Sequence, residues 1–156
     1  MVPWGEIHVN MVGPWRLRNK SKFVFWAVTI INPVPGLLEI YRIKDVDGIN
    51  ATKAVEYSWL CRYPKPSRCV HDNGPGYLSH EFFMLMADAG IEDKPVSSLN
   101  PQSNGIIKQV HKTVGQVVRT LVATKLPKNK EEAGALMDEA IAFTIRATRL
   151  ASHSQN

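Results

Sequence analysis

A chain of 156 residues and 17.5 kDa fits one domain and is long enough to bury a sizeable core. With 44% hydrophobic and 21% charged residues and a mean hydropathy of −0.17, it has the composition of a folded soluble protein, which excludes long disorder. A formal charge of +5 and a pI near 9.3 are compatible with a polyanionic partner, because lysines and arginines that neutralise phosphates release condensed counterions.

Ile7 to Val12 reads as a short strand ended by Gly13-Pro14, and Lys22 to Ile31, rich in β-branched and aromatic residues, as a second. The turn Asn32-Pro33-Val34-Pro35-Gly36 leads into a third strand at Leu37 to Ile43, which makes an antiparallel meander. After a polar loop through Asp45, Asp47 and Gly48, the residues Ala51, Val55 and Trp59 recur every fourth position and predict a helix over Asn50 to Arg62, closed by Pro64 and Pro66. Ser67 to His71 is a short strand that reaches Asp72 and the turn Asn73-Gly74-Pro75-Gly76. Ser79 caps a helix that turns Phe82, Leu85, Met86 and Ala89 inward and stops at Gly90.

A strand at Ile91 to Val96 and a loop at Ser97 to Asn104 precede a helix from Gly105 to Thr124. Ile107, Val110, Val114, Val117, Val118 and Leu121 form its apolar stripe, and Lys108, His111, Lys112, Gly115 and Arg119 its basic face. The last helix, Lys130 to Ser152, has Glu131 and Glu132 near its positive end and Arg146 and Arg149 near its negative end. The order of elements defines an α/β layered domain in one unit.

The longest apolar run, Phe23 to Ile31, is about half of what a membrane-spanning helix needs, and no secretory leader pattern opens the chain. Cys61 and Cys69 form no Cys-x-x-Cys pair, and the histidines at 8, 71, 80, 111 and 153 have no zinc-finger spacing. The expectation is reduced thiols, no zinc, no membrane and an intracellular protein, nuclear or cytoplasmic.

Several stretches carry a more specific signal: Pro3-Trp4, His8-Val9-Asn10, Gly13-Pro14-Trp15, and Trp59 through Pro66 as Trp-Leu-Cys-Arg-Tyr-Pro-Lys-Pro. His71-Asp72-Asn73-Gly74, Ser79-His80-Glu81-Phe82 and Asn100-Pro101-Gln102-Ser103-Asn104-Gly105 with His111 continue the series. In these residues, and over nearly its whole length, the chain resembles the integrase catalytic core of LTR retrotransposons and retroviruses, especially the Gypsy group. The resemblance implies a ribonuclease H-like α/β fold, with a five-stranded mixed sheet, three antiparallel strands first, flanked by helices. It implies a part in DNA integration by polynucleotidyl transfer, with Mg²⁺ or Mn²⁺ as the cofactor in the family. It also implies a single core domain over 1–156 without the family's N-terminal zinc module or C-terminal DNA-binding module, hence weak, salt-sensitive DNA binding and a homodimer through the core.

The family carries an aspartate on the first strand, a second after the fourth strand, and a glutamate on the next long helix with thirty-five residues between the last two. Those positions hold Asn10, Asp72 and Lys108 here. Three carboxylates in the family hold two divalent ions, one to activate the attacking hydroxyl and one to stabilise the leaving oxygen. Hard cations want anionic oxygen, and the charges of Asn10, Asp72 and Lys108 are 0, −1 and +1, which cancel. An ammonium about 5 Å from a divalent ion at an effective dielectric of about 20 is repelled by roughly 6 to 7 kcal/mol. The expectation is a pseudoenzyme with at most a residual metal ligand at Asp72, and an Asp72–Lys108 ion pair in its place. Asn32, where an acidic residue is usual, and Gly76, where the motif has its glutamate, point the same way.

Lys112 sits where the family places a DNA-contacting lysine, and Arg119, Gln102, Ser103 and Asn104 join it as DNA-binding candidates. The plain alternatives are a solvated helix face for the basic residues, an ordinary surface loop for 97–104, and a turn aspartate capping Gly74 for Asp72. His111 is expected to orient its neighbours. His8 and His71 flank the site positions, and strand alternation assigns both a structural role. Trp4, Trp15, Trp26 and Trp59 are expected in the core. Two further readings stay open: a non-enzymatic DNA- or protein-binding module on the same scaffold, and an active phosphotransferase using Glu6, Asp45 or Asp47 as substitute carboxylates.

Overall fold

The computed structural model describes residues 5–17, 23–33, 36–74, 76–77 and 79–154, with side chains up to residue 148. Trp4, Lys22, the Val34-Pro35 part of the expected turn, Pro75 and the side chain of Arg149 lie outside the described residues.

Five strands form one mixed sheet: β1 (Glu6–Leu17), β2 (Phe23–Asn32), β3 (Leu37–Ile43), β4 (Arg68–His71) and β5 (Glu92–Pro95), in spatial order β3-β2-β1-β4-β5. β2 runs antiparallel to both β1 and β3, while β4 lies parallel to β1 and β5 parallel to β4. This is the five-stranded mixed sheet with three antiparallel strands first that the sequence predicts, and the two later strands join it in parallel. One boundary differs. β1 continues through Gly13-Pro14 to Leu17, because the register shifts between Val12 and Trp15 and a bulge accommodates a proline without an N–H. Gly13 has φ +129 there, and a Cβ would lie 2.9 Å from the Phe25 carbonyl oxygen.

Helix α1 (Gly48–Val55) starts two residues before the expected Asn50, where Asp47 caps it by accepting from Asn50 N at 2.8 Å. It passes into a π-helical turn, Glu56–Leu60, and Ala51, Val55 and Trp59 are all fully buried. Helix α2 (His80–Ala89) is capped by Ser79, whose Oγ accepts from Phe82 N at 3.2 Å, and ends on Gly90 in the left-handed region. Helix α3 (Pro101–Thr124) begins four residues before the expected Gly105: Asn100 accepts from Ser103 N at 2.8 Å and Pro101 takes the first helical position. Part of the expected loop at 97–104 is therefore helix. Helix α4 (Lys130–Ser154) closes the order.

The helices cover the two faces of the sheet. Val12, Trp15, Leu17, Phe25 and Ile40 pack with Val110, Val114 and Val118 of α3 and Met137 and Ile141 of α4. On the other face Ile7, Val9, Val28 and Ile30 pack with α1, Trp59 and Phe82 and Met86 of α2. Trp15 and Trp59 are core residues, and Trp26 is partly buried against the second cluster. Arg42 ties α4 to the sheet: it donates to both carboxylate oxygens of Asp138, at 2.7 and 3.2 Å, and lies 5.6 Å from the Phe25 ring centroid. Among the described residues no helix is long and apolar enough to cross a membrane.

Candidate functional site

The site positions are set by strand alternation. Ile7 and Val9 point to the α1/α2 side, whereas His8 bonds Ser103 of α3 and Val12 packs with α3 and α4. Asn10 therefore faces α3. The pairing of β1 with β4 is in register at Val9 and His71, so Asn10 and Asp72 are the next positions on neighbouring strands, whose backbones lie about 5 Å apart. The sheet thus brings two of the three expected positions together. Asp72 is half-buried, and its Oδ1 accepts from Gly74 N at 3.0 Å, an Asx turn. Its charge also helps burial, the larger cause, to raise the Tyr77 phenol well above the ordinary tyrosine value.

Lys108 does not join them as expected. Neither Asp72 nor Lys108 takes part in an ion pair among the described residues. The reason is helical phase: Ser103 points at β1, and five residues on, Lys108 has turned about 140° around α3 and stands exposed. Asn10, Asp72 and Lys108 still offer only one carboxylate, but the Lys108 ammonium points outward and does not stand beside Asp72.

Lys108 lies with Lys112 and Arg119 on the outer side of α3, all three exposed. His111 orients a neighbour: its ring stacks on Trp15 at 5.3 Å between centroids, and its carbonyl accepts from Trp15 Nε1 at 3.2 Å. The candidates at the start of α3 divide. Gln102 is exposed, Asn104 donates its side chain to Leu99 O at 2.8 Å, and Ser103 is fully buried. Ser103, expected among the DNA-binding candidates, is turned inward onto His8 and away from solvent.

Both flanking histidines are buried and fully engaged. His71 Nδ1 lies 2.6 Å from the Asp72 carbonyl oxygen and its Nε2 bonds the Asp93 carboxylate, with its ring against Tyr77 and Phe82. For His8 the alternation argument fails. It lies two residues before Asn10, on the same face, and it contacts Ser103 at 2.6 Å and Glu6 at 2.6 Å. This α3-to-β1 contact was missed because a histidine and a serine 95 residues apart carry no local pattern.

Two of the three substitute carboxylates are committed elsewhere. Glu6 accepts from His8 and Arg68, and Asp47 caps α1, a bond that holds its carboxyl below the ordinary aspartate range. Asp45 is exposed in the loop before α1. Among the described residues no group of three or more His, Cys, Asp or Glu could hold a metal ion. An amide, one carboxylate and an outward ammonium do not fit a pair of magnesium ions. Gly76 is closely surrounded: a Cβ would lie 2.5 Å from Met11 Cε, 3.0 Å from Asp47 O and 3.2 Å from Ala51 Cβ.

A sheet in which three antiparallel strands are followed by two parallel ones, with helices on both faces, defines a ribonuclease H-like domain. The HTLV-2 integrase catalytic core domain in complex with magnesium shares this fold, with a TM-score of 0.69 over 93% of this chain and 86% of that one, at 14% identity. In sequence the chain is similar to the Gag-Pol polyprotein of koala retrovirus, 25% identical over 116 residues, and to the retrovirus-related Pol polyprotein from transposon TNT 1-94 of Nicotiana tabacum, 25% over 126 residues. Those matches cover 74% and 79% of this chain but only 7% and 9% of the polyproteins. No family model matches the chain. The chain thus has the fold of a retroviral integrase catalytic core and is similar in sequence to retroviral and retrotransposon Pol polyproteins.

Proposed function

We propose that this domain binds the nucleic-acid backbone through the outer face of α3 and does not carry out metal-dependent phosphoryl transfer. The charge pattern of α3 carries the reading: in 24 residues it has no aspartate or glutamate, and Lys108, Lys112 and Arg119 stand exposed along one side. From Lys108 to Arg119 the stripe is about 16 Å long, enough to follow about five phosphates of one strand. Gly105 and Gly115 keep its relief low: a Cβ at Gly105 meets nothing within 4 Å, and at Gly115 nothing nearer than Arg119 at 3.5 Å. Packing does not demand glycine at either place, although glycine inside a helix costs about 1 kcal/mol relative to alanine.

The catalytic half of the reading rests on the donor set. The family chemistry needs anionic oxygen around two divalent ions, and Asn10, Asp72 and Lys108 offer a single carboxylate already used in a turn. The experiment is fluorescence anisotropy with a labelled duplex at a series of salt concentrations. Three neutralised phosphates predict a slope of about −2.7 in log K against log salt, so affinity falls about 40-fold between 50 and 200 mM. The Lys108→Ala/Lys112→Ala/Arg119→Ala variant should lose nearly all of that slope. Binding that ignores both salt and this substitution overturns the reading.

One observation favours a second reading, a protein contact. An open groove of about 380 Å³ between α3 and α4 is lined by Val117, Thr120, Leu121 and Phe143, and Phe143 is 46% exposed. The HTLV-2 core has a dimeric form, and a homodimer of this chain through its α4 side predicts that Phe143→Glu shifts sedimentation to the monomer.

A further inference from the structure

The segment 101–104 has the composition of a loop and the structure of a helical turn. We propose that a buried latch, Ser103–His8–Glu6, holds this turn in helical form against β1, and that its release returns Pro101–Asn104 to a loop. The inference stands apart from the nucleic-acid reading, since it concerns only what fixes the start of α3.

The turn has little else to hold it. Serine, asparagine and glycine are poor helix formers, and among residues 101–105 only Ser103 is buried. Where an amphipathic helix normally plants an apolar side chain in the core, α3 plants a hydroxyl. That hydroxyl lies 2.6 Å from His8 Nδ1, and His8 Nε2 lies 2.6 Å from Glu6 Oε1. A carboxylate can only accept, so Nε2 carries a proton, and the Ser103 hydroxyl, which can donate or accept, satisfies Nδ1. Ser103 and His8 are 0% and 3% exposed, so neither group exchanges its partner for solvent without opening the turn.

The chain of contacts runs on to the sheet edge, where Arg68 donates to Glu6 at 3.4 Å and to Glu92 at 2.9 Å. Both outer links run through Arg68, 38% exposed, and Glu92 is 59% exposed, so solvent screens them and the inner bond decides. The cap from Asn100 and the Asn104 bond to Leu99 O are local to the segment and cannot fix it to the sheet. Latched, the turn is a rigid lead into the basic stripe.

Ser103→Ala separates the latch from local preference, because alanine is the better helix former. If propensity held the turn, the variant would tighten it; if the latch does, the variant loosens it. Hydrogen–deuterium exchange of the full chain reads the difference. The amides of residues 105–107 should exchange at least about tenfold faster in Ser103→Ala, equivalent to about 1.4 kcal/mol, while those of 112–118 stay unchanged. Unchanged or slower exchange at 105–107 overturns the proposal. Should Ser103→Ala fail to fold, the unmodified protein decides: the latch requires amides 105–107 to be protected to within about tenfold of 112–118. Exchange at the rate of a frayed helix end overturns it.

Discussion

Replacing Gly76 by alanine tests whether there is room for a side chain at the position where the integrase motif has a glutamate. An added methyl at Gly76 would stand 2.5 Å from Met11 Cε, 3.0 Å from Asp47 O and 3.2 Å from Ala51 Cβ. Shortening the freedom of the unfolded chain would stabilise by about 0.4 to 1 kcal/mol, whereas overpacking costs about 1 to 3 kcal/mol. Met11 Cε is the end of a flexible side chain and can swing away. Asp47 O is backbone at the cap of α1, where it accepts from Ala51 N at 3.0 Å, and it cannot. The balance is a loss of about 1 to 2 kcal/mol, which in a chain of this length lowers Tm by about 3 to 8 °C. Thermal and urea denaturation followed by circular dichroism measure it, and Met11→Ala in the Gly76→Ala background should recover part of the loss. A Gly76→Ala protein as stable as the parent, or more so, refutes the reasoning. If the loss is found, putting back the glutamate alone cannot restore the motif.

Asp47→Ala should cost about 1 kcal/mol through loss of the α1 cap, measured by urea denaturation. The Asn50 N–H holds the folded Asp47 carboxyl below its ordinary value of 3.8, so the cap contributes fully above that pH. The difference between parent and variant should shrink as the pH falls through the lowered folded value. Burial, helped by the charge of Asp93, pushes the Cys69 thiol far up, while Cys61 is exposed. Thiol alkylation at pH 8, read by mass spectrometry, should therefore label Cys61 alone in the folded protein and both cysteines in denaturant. Ultraviolet titration should leave the Tyr77 phenol un-ionised until the protein unfolds in alkali, because burial and then the Asp72 charge oppose its ionisation. Asp138→Ala should cost no more than about 1 kcal/mol, since the pair is partly exposed. Arg42→Ala should cost more, because it also removes the cation over Phe25.

The fold was legible where periodicity is strong. The apolar stripe of α3 and the Ala51, Val55, Trp59 series of α1 and the π-helical turn after it identify their buried faces correctly, and the meander follows from three β-rich runs and their turns. Boundaries misled where one local signal competed with another. Gly13-Pro14 is a turn dipeptide by composition but a bulge in β1, because β2 continues to pair beyond it. Asn100 and Pro101 are a helix cap and first turn that a loop-like Ser-Asn-Gly sequence conceals. In the site, the neighbourhood of Asn10 and Asp72 follows from strand order and register. The orientation of Lys108 does not, since it depends on where α3 begins, and four extra residues of helix fix its phase relative to β1. The His8–Ser103 contact joins residues far apart in the chain and has no sequence signature at all.

The proposal that the domain holds no pair of divalent metal ions is tested most directly by titrating the unmodified protein with MgCl₂ and MnCl₂, followed through tryptophan fluorescence, with a Mn²⁺ disintegration assay on the same sample. The expected result is no saturable binding of either ion and no DNA strand cleavage or joining, with Asn10→Asp/Lys108→Glu as the comparison that places carboxylates at both positions. Saturable uptake of two divalent ions, or disintegration by the unmodified protein, would contradict it.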